Sequence, residues 1–369
     1  MLRLGAVSFG GPAAQLALMH EELIKRRRWV TEQEYLDLLG ASGLIPGPTS
    51  TETAIHLGMS RGGWLGLWVA GICFISPAAL ITGAFAWAYI TYGSLPAVQG
   101  LLRGVKPAVV AVILAAVLQL ARTAAKTTRL RWMGALCLGL YLAGVNELVL
   151  LLGSGLLIAL LRRDRPAGLS FLALPAIGGF GTAAFGAAAQ PTVLGVFFYF
   201  LRVGATLFGS GYVLLAFLRQ GLVHDLRWLT EQQLLDAVAV GQFTPGPLFS
   251  TATFAGYVVG ERFGIGGWPC AVVASLGIFL PSFMMVWATH SLVRRLRQSP
   301  WTAAFLDGIN AASVALMAGV LYQLAATSLA LQPDAWLIFA AAAAAIFRFR
   351  VNSAWVVLAG ALVGLLLYR

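Results

Sequence analysis

This 369-residue chain is 59% hydrophobic and only 11% charged, whereas about 25% of the residues in a soluble domain carry charge, so an ordinary soluble fold is excluded. The net charge of +11 does not argue for a nucleic-acid partner, because the basic residues form short clusters between apolar runs: Lys25-Arg26-Arg27-Arg28, Arg162-Arg163 and Arg294-Arg295-Leu296-Arg297. Such clusters belong to cytoplasmic loops that face anionic lipid, so membrane lipid is an expected partner and nucleic acid is not.

Met1-Leu2-Arg3 leads straight into an apolar run with no small-residue cleavage site, so a cleavable leader is not expected. About 20 apolar residues cross a bilayer as a helix. The pattern predicts spans near residues 2–19, 64–92, 97–121, 130–144 and 148–161, with a broken apolar segment at 35–59. A second series follows at 193–218, 268–292, 302–325, 335–347 and 354–368, with a broken segment at 233–260. The last two spans of each series are short and read as a tight hairpin of tilted helices. The chain therefore divides into a first repeat at 1–165, an apolar Gly/Pro-rich linker at 166–192 and a second repeat at 193–369.

The two series are copies. Arg3-Leu4-Gly5-Ala6, Phe9-Gly10, Trp29-Val30-Thr31-Glu32-Gln33 and Pro46-Gly47-Pro48 recur 199 positions later as Arg202-Val203-Gly204-Ala205, Phe208-Gly209, Trp228-Leu229-Thr230-Glu231-Gln232 and Pro245-Gly246-Pro247. After a five-residue insertion the offset becomes 204, matching Pro77 to Pro281, Gly104 to Gly308 and Gln119 to Gln323. Equivalent loops carry opposite charge patterns. Arg122, Lys126, Arg129 and Arg131 face a counterpart at 326–334 with no basic residue, while Arg294, Arg295 and Arg297 face an uncharged 91–94. Basic loops stay in the cytoplasm, so the copies are expected to be inverted, as in many transporters. Keeping both Lys25–Arg28 and Arg122–Arg131 inside requires the Pro-Gly-Pro segments to enter and leave on one side. The expected fold is an all-α membrane protein of inverted halves, with about ten transmembrane helices and two re-entrant broken-helix hairpins. The alternative, in which the broken segments and the linker all span, stays open.

Proline removes a donor and clashes with the preceding turn, so Pro46-Gly47-Pro48 and Pro245-Gly246-Pro247 predict breaks. Broken backbone at membrane depth must be buried in protein or line a wet cavity. Each break precedes hydroxyls, Thr49, Ser50, Thr51 and Thr53 in one copy and Ser250, Thr251 and Thr253 in the other. A helix start with free N–H groups and a positive dipole end suits an anion; a plain turn with hydroxyl caps is the other reading. Phe9-Gly10-Gly11-Pro12 and Phe208-Gly209-Ser210-Gly211 form a second pair of breaks, serving unwinding, close helix packing or both. Arg3 and Arg202 are equivalent, and arginine suits bidentate recognition of a tetrahedral oxyanion, with snorkelling to the interface as the alternative. Lys106 and its equivalent Asn310 read as a charged and a neutral donor converging on the midplane. Thr31-x-x-Glu34 and Thr230-x-x-Gln233 are capping boxes, so Glu32 and Glu231 read as structural. Asp37 and Asp236 lie further in and are candidates for pairing with a membrane cation or carrying a coupling proton. Glu52 and His56 are four apart in copy one only, and read as an interfacial pair or as a titrating element.

No glycine spacing of a Walker loop surrounds Lys25, Lys106 or Lys126. Cys73, Cys137 and Cys270 are isolated in apolar segments. No metal, no cofactor and no catalytic residue are therefore expected. One competing class is an intramembrane serine protease, since Gly40-Ala41-Ser42-Gly43 resembles the rhomboid serine motif and His20 and His56 are available as bases.

Arg3-Leu4-Gly5-Ala6-Val7-Ser8-Phe9-Gly10-Gly11-Pro12, Arg26-Arg27-Arg28-Trp29, Leu44-Ile45-Pro46-Gly47-Pro48 and Phe208-Gly209-Ser210-Gly211-Tyr212 resemble the chromate ion transporter family in its long, two-domain form. The resemblance covers nearly the whole chain. It implies a multi-pass inner-membrane secondary transporter that expels chromate, confers chromate resistance and handles the isosteric sulfate. The family's motif positions fall on Gly10, Gly11, Pro12, Pro46, Gly47 and Pro48, and on Gly209, Gly211, Pro245, Gly246 and Pro247. The chain starts nearer its first motif than long members of that family. An importer or exchanger of sulfate or another small oxyanion is the near alternative, and association into a homodimer is left open.

Overall fold

The computed structural model describes all residues except Gly10, 162–189, Gly209, Ser210, 291–299, 330–332 and 368–369. Most of the expected linker, the basic cluster Arg294, Arg295 and Arg297, and the candidate site residues Gly10, Gly209 and Ser210 therefore lie outside the described residues. Among the described residues, all regular structure is helical. The first half runs α1 (Leu2–Val7), α2 (Gly11–Met19) with a π-helical extension His20–Arg26, α3 (Glu32–Ser42), α4 (Thr49–Tyr92), α5 (Pro96–Ala124), α6 (Thr128–Leu142) and α7 (Glu147–Leu160). The second runs α8 (Val193–Thr206), a 3-10 turn Gly211–Val213 into α9 (Leu214–Leu218), a π-helical extension Arg219–Asp225, α10 (Glu231–Phe243), a 3-10 turn Leu248–Ser250 into α11 (Thr251–Arg262), α12 (Gly267–Thr289), α13 (Pro300–Ser328), α14 (Pro333–Phe349) and α15 (Ser353–Leu367).

Among the described residues, four helices, α4, α5, α12 and α13, are long and apolar enough to cross a bilayer, and α7, α8 and α15 are shorter apolar helices. Large apolar side chains such as Leu65, Leu276, Trp355 and Leu366 stand exposed on these helices, the surface a lipid-facing bundle requires. The chain is a multi-pass membrane protein. The expected first span at 2–19 is interrupted: α1 ends at Val7 and α2 begins at Gly11, at the glycine-rich motif read as a break. The 44-residue α4 is two helices meeting at Gly62 (φ −135, ψ 20) and Gly63 (φ 56, ψ −143), in the position that the gap between α11 and α12 occupies in the second half.

Local physics repeats along with the sequence. Thr31 and Thr230 each accept from the N3 backbone, and Glu34 and Gln233 each reach back to the cap, so both capping boxes form. Arg28 (φ 51) and Arg227 (φ 55) both adopt the left-handed conformation at equivalent positions. Packing crosses between halves. α5 lies against α14 and α15 of the second half, α13 lies against α6 and α7 of the first, and α5 and α13 pack on each other. Glycine makes the crossings close. A Cβ on Gly104 would overlap the Gly360 carbonyl, and one on the equivalent Gly308 would come within 2.5 Å of the Ser154 carbonyl oxygen, the small-residue contact that membrane helices use in place of hydrophobic drive.

Candidate functional site

Each Pro-Gly-Pro motif opens its chain as expected, and each is tied to the other half. Gly47 (φ 138) and Gly246 (φ 93) have backbone conformations that L side chains rarely adopt. The Gly47 N–H donates to the Leu207 carbonyl at 2.8 Å, and the Gly246 N–H donates to the Ser8 carbonyl at 3.1 Å. Ser8 and Leu207 are the C-caps of α1 and α8, and both pairs of positions are 199 apart. The broken segment of one half is thus stitched to the first break of the other by reciprocal hydrogen bonds. Gln15 Nε2 adds a bond to the Gly246 carbonyl at 2.5 Å.

After the first break, α4 starts without a side-chain cap from Pro48, and its first internal bond runs from Glu52 N–H to the Pro48 carbonyl at 3.0 Å. The N–H groups of Thr49, Ser50 and Thr51 precede that bond and have no acceptor within the helix. Pro48, Thr49 and Ser50 open onto a cavity of about 410 Å³. Its opposite wall comes from the second half: Gly211, Leu248 and Phe249 at the two equivalent breaks, and Asp307, Asn310 and Ser313 on α13. Pro12 borders it on α2, and Lys126 lies on its rim 3.9 Å from Asp307. Polar groups share the lining with the apolar Leu16, Leu120, Val314 and Met317, the mixture typical of small-molecule sites.

Of the expected site residues, Thr49, Ser50 and Asn310 line this cavity. Gly11 and Gly246 border a small adjoining space with Pro12 and Leu248. Pro46, Gly47 and Thr51 are buried behind the helix start, with the Thr51 hydroxyl unpartnered. Ser250 accepts from the Thr82 hydroxyl at 3.3 Å, and the Thr251 hydroxyl donates to the Leu248 carbonyl at 2.7 Å. Arg3 is exposed and Arg202 half-buried, and neither is on the cavity wall. Lys106 is not beside Asn310. It pairs with Asp236 at 3.4 Å, and the Tyr89 hydroxyl donates to the same carboxylate at 3.0 Å. This cluster borders a second cavity of about 350 Å³. Asp236 is fully buried, whereas its equivalent Asp37 is half-buried and accepts from Gln33 at 3.2 Å.

Glu52 and His56 are not interfacial; both are fully buried. Ser282 donates to Glu52 Oε1 at 3.4 Å, and His56 Nδ1 lies 3.1 Å from His290 Nδ1. Sequence reasoning also passed over Lys126, Asp307 and Ser313 as wall residues. Lys126 was visible only as loop charge, and nothing in the local pattern marked Ser313. The protease arrangement does not form. Ser42 Oγ donates to the Leu38 carbonyl at 3.0 Å and accepts from Thr53 at 3.2 Å, while His20 is held by Glu32 at 2.7 Å and His56 by His290. Among the described residues no group of three His, Cys, Asp or Glu side chains is placed to hold a metal, and all three cysteines are free.

A family model described as chromate transporter matches residues 1–159 and 194–365. A probable chromate transport protein of Synechococcus elongatus is 33% identical over 343 residues, covering 89% of this chain and 84% of that protein. Chromate transport proteins of Cupriavidus metallidurans and Pseudomonas aeruginosa are 31% and 30% identical, each match covering 100% of this chain and 91% of the relative. No solved structure matches. Since the family model matches residues 1–159 and 194–365, most of the sequence, the chain belongs to the chromate transporter family.

Proposed function

We propose that this protein is a secondary active transporter that exports chromate across the cytoplasmic membrane and so confers chromate resistance. The observation that carries this reading is the cavity between the reciprocally bonded breaks, walled by the start of α4 from one half and by Leu248, Phe249 and α13 from the other. In this reading the two halves are inverted repeats, with about ten spans and two re-entrant hairpins, and the anion sits against the free N–H groups and hydroxyls of Thr49 and Ser50. Asn310 supplies a neutral donor, Ser313 ties α13 to the equivalent break by donating to the Phe208 carbonyl at 3.3 Å, and Lys126 on the rim attracts the anion. Arg3 and Arg202 serve the entry routes or the opposite-facing state. Asp236 holds Lys106 until the transporter turns over.

Export agrees with elementary energetics. A dianion leaving a negative cytoplasm gains about 4.6 kcal/mol per 100 mV, twice the single-charge figure, so potential alone drives efflux while uptake needs co-transported cations. Everted vesicles separate this from sulfate import or exchange. Labelled chromate accumulating inside them, and ceasing to do so when the potential is dissipated, is the expected outcome. Sulfate movement without any chromate movement rejects the assignment.

A further inference from the structure

Glu52 and His56 lie one turn apart on α4, a spacing that places them on one face about 5–6 Å apart at Cβ. Neither takes part in the anion cavity, yet both are fully buried. Glu52 Oε2 and His56 Nε2 are buried without a hydrogen-bond partner, which is costly unless the groups have something to exchange. The other end of the line is accessible: His56 Nδ1 meets His290 Nδ1 at 3.1 Å, and His290 is only half-buried at the C-terminus of α12. An Nδ1···Nδ1 hydrogen bond requires that exactly one of the two nitrogens carry a proton. At its inner end, Glu52 Oε1 occupies the place a Cβ would take on Gly47, with Ser282 beside it. The carboxyl therefore touches the break that opens onto the cavity.

Among the described residues, the remaining charged groups on elements packed against α4 are engaged elsewhere or face outward. Arg3 on α1 and Arg61 on α4 itself are exposed. On α3, Glu32 binds His20, Glu34 caps Thr31 and Asp37 binds Gln33. On α10, Glu231 pairs with Arg219 and Asp236 with Lys106. On α11, Glu261 accepts from the Gly267 N–H and Arg262 donates to the Trp228 carbonyl. From α12, Ser282 faces Glu52 and His290 faces His56.

We infer that Glu52 is the binding site for a proton that travels with the anion, and that the His290–His56 pair delivers it; the inference rests on the transport reading above. A dianion that leaves with one proton still carries one net negative charge outward, so the potential favours export by about 2.3 kcal/mol per 100 mV, half the figure for the bare dianion. A proton arriving at His290 Nε2 makes an imidazolium. Its Nδ1 proton passes to His56 Nδ1, leaving His290 neutral with the proton on Nε2. His56 then releases its Nε2 proton, through a side-chain rotation or an intervening water, to the Glu52 carboxylate, leaving a neutral imidazole and a carboxylic acid. The return path is the reverse. A carboxylate and an oxyanion at the same helix start repel one another. A proton on Glu52 and an anion beside Thr49 and Ser50 therefore favour each other's binding, and the linkage is reciprocal.

The test uses the full chain in proteoliposomes loaded with a pH-sensitive dye, with labelled chromate outside, a clamped potential and a pH that keeps chromate a dianion. The lumen should acidify as chromate enters. Glu52→Gln should abolish the acidification and cut accumulation driven by a pH gradient by about a hundredfold, the low end of what loss of a proton-transferring group costs. Exchange of labelled for unlabelled chromate should continue in that variant but lose its dependence on pH. Should Glu52→Gln fail to fold, His290→Asn at the half-buried end carries the same test. Chromate uptake without acidification, or a pH profile unchanged in either folded variant, overturns the relay and leaves transport standing. Absence of chromate movement in the unaltered protein defeats the transport reading and the relay with it.

Discussion

The two halves share a backbone plan but differ in chemistry. Gly47 and Gly246 occupy equivalent positions with equivalent bonds to Leu207 and Ser8. Yet a Cβ on Gly47 would meet the Glu52 carboxyl and the Ser282 hydroxyl, whereas one on Gly246 would meet the Ala78 methyl at 2.6 Å. The positions equivalent to Glu52, His56, Ser282 and His290 are Thr251, Ala255, Ala78 and Ala86. Lys106 is likewise a cation held by Asp236, while its equivalent Asn310 is neutral and faces the cavity. Features that set chain direction are kept in both copies: glycine conformations, proline breaks, capping boxes, left-handed arginines. Titratable groups at the breaks and on α4 are not. In the transport reading proposed above, matching hinges in the two halves would present both sides of a membrane in turn, while a single proton-accepting line would suffice for coupling.

The largest expected contrast lies between Lys106 and Asn310. Lys106→Met strands a fully buried Asp236 carboxylate, and breaking a buried pair by removing one partner costs about 3–5 kcal/mol. Asn310→Met should leave thermal unfolding in detergent within about 0.5 kcal/mol, as for an exposed position, while reducing chromate transport. Lys106→Met combined with Asp236→Leu should recover much of the lost stability. Equal destabilisation by the two single substitutions would break the contrast.

The breaks give the next contrast. An alanine at either glycine suffers the strain of a left-handed backbone, about 1–2 kcal/mol. At Gly246 the new methyl also meets the methyl of Ala78 and the Gly5 carbonyl, rigid neighbours that add about 1–3 kcal/mol of overpacking. At Gly47 the overlap falls on the mobile ends of Glu52 and Ser282. Gly246→Ala should therefore lower the unfolding temperature more than Gly47→Ala, and Gly47→Ala should instead disturb the pH dependence of transport. A larger stability loss at Gly47 would show that the Glu52 carboxyl is fixed.

Much of this was legible in the sequence because it is local. The breaks at Pro46-Gly47-Pro48 and Pro245-Gly246-Pro247, the interruption near Phe9 and the caps at Thr31 and Thr230 each follow from a few adjacent residues. The pairing of Lys106 with Asp236, of Glu52 with Ser282 and of His56 with His290 was not legible, since each joins the two halves and depends on how the halves pack. Burial of Glu52 and His56 was misread for the same reason: polar residues at a helix start look interfacial until the opposing α12 is placed over them. The π-helical extensions left no local signal either, although they recur at equivalent positions.

The smallest expected effect is one of equality. Thr31→Ala and Thr230→Ala each remove an N-cap hydroxyl from the same capping box, and such losses cost about 1 kcal/mol. The two caps differ in their N3 partner, Glu34 against Gln233, and in what the following glutamate binds, His20 against Arg219. The Thr31 hydroxyl also donates to Glu34 Oε2 at 3.0 Å, but that bond is exposed to water and adds little, so both variants should shift thermal unfolding by nearly the same amount. The double variant should show the sum, since the caps share no partner. A loss confined to Thr230 would mean that the Arg219–Glu231 pair leans on its cap, and that the second half, not the first, sets the stability of the bundle.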